Sequence, residues 1–149
     1  MKSKKIIMYI GVFFIAVLIL NVYSSLLWDI KEAASQLDVN RMTMSHISAM
    51  IFCFLFGVLL EWRLLISIFS KKVSIKLSFS LILGLILFLI GLFPPVFYLM
   101  EFGSLHLPFP KGGIGINVLF GMLNQFSSVQ AILSVAAGTL VIKGINQKD

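Results

Sequence analysis

Glutamate, tryptophan and arginine stand together at Glu61, Trp62 and Arg63 of "LFGVLLEWRLLISIFSKK", with an apolar run on each side. A carboxylate buried among membrane helices costs on the order of 2.5–3.5 kcal/mol, and such residues carry protons or cations. The same trio marks a membrane surface when the charges are hydrated and the indole lies among lipid headgroups. Glu61 and Arg63 are two positions apart, so on a helix they point to roughly opposite sides and cannot pair with each other.

A second polar group is formed by Asn117, Asn124, Gln125, Ser127, Ser128 and Gln130. Positions 117, 121, 124, 128, 131, 135 and 138 read Asn, Gly, Asn, Ser, Ala, Val and Gly. This alternating four-and-three spacing is the seam of a helix packed at a shallow crossing angle. The candidate packing or polar-path residues are therefore Asn117, Gly121, Asn124, Gln125, Ser128 and Gly138. Leu119, Met122, Phe126, Val129 and Leu133 form the opposite side, which suits lipid. Matching small residues occur at Gly84 and Gly91, and at Ala49, Cys53 and Gly57.

Groups for catalysis are sparse. Cys53 is the single cysteine, which excludes an intrachain disulfide and a Cys-x-x-Cys redox pair. The two histidines, His46 and His106, are far apart and form no HExxH zinc motif. "GGIGINV", Gly112 to Val118, starts like a dinucleotide fingerprint, but Val118 replaces the last glycine and an apolar helix follows. No cofactor, metal or enzymatic activity is expected.

The elements that must hold these residues are membrane helices. Hydrophobic residues make up 59% and charged residues 12% of the 149-residue chain, against about 25% charged in soluble domains. Mean hydropathy is +1.03. The fold class predicted is an all-α integral membrane protein, one domain of four transmembrane helices in an up-down-up-down bundle. A crossing needs about 20 apolar residues, which places the spans at about 6–28, 44–66, 77–100 and 116–142. Lys2, Lys4 and Lys5 before the first apolar run also fit a signal peptide, but the run continues to Trp28, so an uncleaved anchor is expected.

The second span has two placements. A continuous helix from about Ile47 to Ser70 buries Glu61 one turn from Gly57. A helix from Met42 to Leu60 leaves "EWR" at the interface and "LLISIF" along the inner leaflet, with Lys71 and Lys72 near anionic lipid. The second avoids the burial cost and is the preferred one.

Nine of the twelve basic residues lie at Lys2, Lys4, Lys5, Arg63, Lys71, Lys72, Lys76, Lys143 and Lys148. Positive charge is retained inside, so both termini are expected in the cytoplasm and the protein in the plasma membrane. Lys31, Arg41 and Lys111, with Asp29, Glu32, Asp38 and Glu101, fall outside. "LLWDIKEAASQLDVNR" continues the first helix past the membrane with helical spacing. Pro94 and Pro95 are expected to break or kink the third helix and to open an aromatic outer cap.

The basic residues follow the ends of apolar runs rather than a stripe, which argues against nucleic acid. The partners expected are the lipid bilayer and another membrane protein or a second copy of the chain. The function expected is that of an accessory, regulatory or protective subunit acting through helix contacts. The alternative is a component of a small-solute or ion transporter or channel, with Glu61 and the amide group lining a path.

Overall fold

The structure is a computed structural model that describes residues 2–70, 78–102 and 127–145. All regular elements among the described residues are helices: α1 (Lys2–Ser35), α2 (Val39–Leu60), α3 (Trp62–Ser70), α4 (Phe79–Phe102) and α5 (Ser127–Ile145). Among the described residues three stretches are long and apolar enough to cross a membrane, Ile6–Ser35, Val39–Leu60 and Ser128–Ile145.

The first helix is one element from Lys2 through Trp28 to Ser35, so the amphipathic outer stretch extends it without interruption. It ends in a Schellman turn. The Leu37 N–H donates to Ala34 O and the Asp38 N–H to Ala33 O, with Leu37 at φ 55°. That left-handed position is normally a glycine's, because a Cβ is crowded there. Asp38 then caps α2, its carboxylate accepting the Arg41 N–H at 3.0 Å, which satisfies one of the donors left open at a helix start.

The α2 helix stops at Glu61. The Glu61 N–H turns back to Val58 O, while its own carbonyl accepts the N–H groups of Leu64 and Leu65 and so starts α3. The chain from 44 to 66 is therefore two helices joined at Glu61.

α4 runs through Pro94 and Pro95 as one helix to Phe102, without the break that the two prolines predict. Membrane helices tolerate proline where neighbouring groups stand close to the freed carbonyls. Gly91, whose carbonyl a proline at 95 cannot bond, lies directly against Ser134 and Gln130 of α5. The segment expected to open the aromatic cap is thus helical as far as Phe102, and its remainder lies outside the described residues.

Lipid gives no hydrophobic drive for helix association, so close backbone approach matters. α5 packs against both α2 and α4, which also touch each other through Phe54 and Phe88, and α1 packs on the outside of α2. A Cβ at Gly138 would stand 2.2 Å from Phe54 O, and one at Gly57 2.1 Å from Val135 O. On the other side, Gly84 meets Ala137 and Val141, and Gly144 meets Leu81 and Ser78. Ser78 Oγ also donates to Gly144 O at 2.8 Å. His46 and Met50 of α2 meet Gln130 and Ser134 of α5, ahead of the contact between Gly57 and Gly138, so α2 and α5 run in parallel. Gly84 against Val141 and Leu81 against Gly144 make α4 antiparallel to both. Tyr9, near the start of α1, meets Trp62 just beyond the end of α2, so α1 is antiparallel to α2.

Candidate functional site

Three polar groups are built into this frame. Inside the bundle, the His46 Nε2–H of α2 donates to Gln130 Oε1 of α5 at 2.6 Å. One turn along, Ser134 Oγ donates to Met50 Sδ at 3.3 Å. All four side chains are buried, and Gln130 Nε2 has no hydrogen-bond partner among the described residues. Positions 46 and 50, and 130 and 134, each lie one helical turn apart, so parallel α2 and α5 present them in register. A cavity of about 240 Å³ opens beside His46, lined also by Tyr23, Lys31 and Met50.

At one end of the bundle, Arg41 Nη2 donates to Asp29 Oδ1 at 3.3 Å and to Glu32 Oε2 at 3.1 Å. This triad ties the last turns of α1 to the first turn of α2. At the other end, Glu61 Oε1 accepts from Lys143 Nζ at 3.0 Å. Lys143 lies in the last turn of α5, where a cation is also favoured by the helix dipole. Arg63 turns to the opposite side, donates to the Tyr9 hydroxyl and lies 5.7 Å from the ring centres of both Tyr9 and Trp62. Glu61 and Arg63 thus have separate partners, as their spacing requires.

Gly138 is buried against α2, whereas Ser128 is exposed. At 100° per residue Ser128 lies roughly 120° around α5 from buried Ser134, at the margin of the packed arc. Asn117, Gly121, Asn124 and Gln125 lie outside the described residues. Glu61 is half-buried at the junction of α2 and α3, and Arg63 is exposed.

From the sequence, His46 has no role beyond its distance from His106. It is buried on Gln130. The signal was a second ladder on α5, Gln130, Ser134, Ala137, Val141 and Gly144, which faces α4 and the start of α2. The seam read from the sequence followed one four-and-three register, through positions 128, 131, 135 and 138, and a second register on the neighbouring face was left out.

Chemically, the internal group can lock two helices in register or hold a small polar guest, with no carboxylate beside the imidazole among the described residues. Among the described residues no cluster of three His, Cys, Asp or Glu side chains could hold a metal ion. Comparison of the chain with protein-family models, with curated proteins and with solved structures gives no match in any of the three.

Proposed function

We propose that this chain is a four-span protein of the cell membrane with both ends in the cytoplasm, acting non-enzymatically as an accessory, regulatory or protective subunit through helix contacts. The observation that carries this reading is the contrast between α1 and the remaining helices. α2, α4 and α5 close on one another at glycines, while none of the most apolar stretch of α1 is buried. Ile7, Phe13, Phe14 and Leu18 all face outward from it. An apolar helix that packs on α2 and turns the rest of its surface outward offers a docking surface for another membrane helix.

A photoreactive residue at Phe13 or Leu18 should give one discrete adduct with a second membrane protein in native membranes. The same residue at Ile132, exposed on α5, should give lipid adducts alone. Lipid adducts at all three positions would overturn the accessory role.

One observation favours the alternative, a transporter or channel component. The Gln130 amide is buried with its nitrogen unsatisfied among the described residues, and such a group seeks water or a polar guest. Ion or solute flux in proteoliposomes that is lost in Gln130→Leu would put this second reading first.

A further inference from the structure

We propose that the cleft between α1 and α3 binds the phosphate of an anionic membrane phospholipid, with Arg63 as its anchor. The cleft has a volume of about 380 Å³ and is lined by Met8, Tyr9, Trp62, Arg63 and Ile66, within the range of small-ligand sites. Its composition is that of a lipid site: one guanidinium, two amphipathic rings and two flexible apolar side chains.

The guanidinium is positioned in advance. Its Nη2 donates to the Tyr9 hydroxyl, and the Tyr9 and Trp62 rings pack edge to face with centres 4.9 Å apart. Holding one edge of the planar fork leaves its other N–H groups for two phosphate oxygens, which is how arginine takes phosphate. No carboxylate among the described residues neutralises it. Glu61, the nearest acid in sequence, is engaged by Lys143.

The surroundings match a headgroup in the same way. Lys2, Lys4 and Lys5 occupy the first turns of α1 at this end of the bundle, and each basic residue near an anionic surface adds to the attraction. Tyr9 and Trp62 have the amphipathic rings found at headgroup level. Met8 and Ile66 offer apolar contact to the start of an acyl chain. The inference rests on the membrane reading of the chain and not on its role as a subunit.

Trp62 reports on its own site once Trp28 is replaced by phenylalanine. The Trp28→Phe chain is placed in nanodiscs of equal phosphatidylcholine and phosphatidylglycerol, with brominated chains on one lipid or the other. Bromine on the anionic lipid should quench Trp62 more strongly, corresponding to a preference of about fivefold. Arg63→Gln should bring the two lipids close to parity, and Arg63→Lys should keep part of the preference. Equal quenching by both lipids in the Trp28→Phe chain would overturn the site, as would a preference unchanged in Arg63→Gln. Relief of quenching by free glycerol phosphate would identify a soluble phosphate as the ligand and overturn the lipid assignment. Failure here leaves cross-linking from α1 untouched, so the two proposals fail separately.

Discussion

At the residue scale, the buried pair His46 and Gln130 is worth less than the cost of breaking it. Hydrogen bonds between membrane helices contribute about 0.6 kcal/mol on average and up to about 1.7 kcal/mol. Leaving a buried polar group without its partner costs about 1–3 kcal/mol. Gln130→Leu and His46→Leu should therefore each destabilise the bundle by about 1–2 kcal/mol. The double variant should lose less than the sum of the two, with a coupling of about 1 kcal/mol. Unfolding in mixed micelles measures all four corners of this cycle, and additive single effects would count against the bond. The histidine's position was in the sequence, but its partner was not. Nothing local shows that residues 46 and 130 face each other until α2 and α5 are known to run in parallel.

At the element scale, glycine has opposite meanings on α1 and α5. An added Cβ at Gly138 would strike Phe54 O, whereas one at Gly11 would meet nothing within 4 Å. Gly138→Ala must push α2 and α5 apart, and overpacking of this kind costs about 1–3 kcal/mol. Gly11→Ala only removes backbone freedom from an exposed helix, which should stabilise it by up to about 1 kcal/mol. Thermal unfolding of the two variants in one detergent should move in opposite directions, and a shared sign would remove glycine packing as the basis of the α2–α5 contact. The turn between α1 and α2 gives a further case. Leu37 is held at φ 55° with its side chain exposed, so Leu37→Gly should stabilise by about 1 kcal/mol. A lower unfolding temperature for Leu37→Gly would mean that the side chain makes a contact worth more than the strain.

These elements also mark how far the sequence could be read. Apolar runs pointed to an all-helical chain, because length and composition act locally. The break at Glu61 was one of two options of similar composition. The backbone shows the break, where the Glu61 N–H turns back to Val58 O, and the partner of its carboxylate, Lys143, comes 82 positions later. The prolines of α4 misled because the rule applied to them describes an isolated helix, and α4 is packed along α5. On α5 itself, the small-residue ladder pointed to Gly138 but left out the Gln130 ladder, because one helix packed against two others needs two seams.

At the scale of the whole molecule, the charged groups resolved among the described residues gather largely at two levels. The triad of Asp29, Glu32 and Arg41 lies at one end, and Glu61, Arg63 and Lys143 lie at the other. The 22 residues of α2 separate these levels, a rise of about 33 Å at ~1.5 Å per residue. The hydrocarbon core is ~30 Å thick, so a bilayer fitted around α2 has room for one level at each surface and for neither in its interior. On that reading, the basic end with Arg63 and the lysines of α1 faces the cytoplasm. A Cys53→Ala background carrying Leu37→Cys or Glu61→Cys tests the arrangement with a membrane-impermeant thiol reagent. Leu37→Cys should react only from outside and Glu61→Cys only from the cytoplasmic side. Reaction of both from one side would overturn the orientation. Ready labelling at position 61 would end the case for Glu61 as a carrier of protons or cations. Protection of position 61 from both sides, with Leu37→Cys still reactive, would place the carboxylate inside the bundle and move the transport reading ahead of the accessory one.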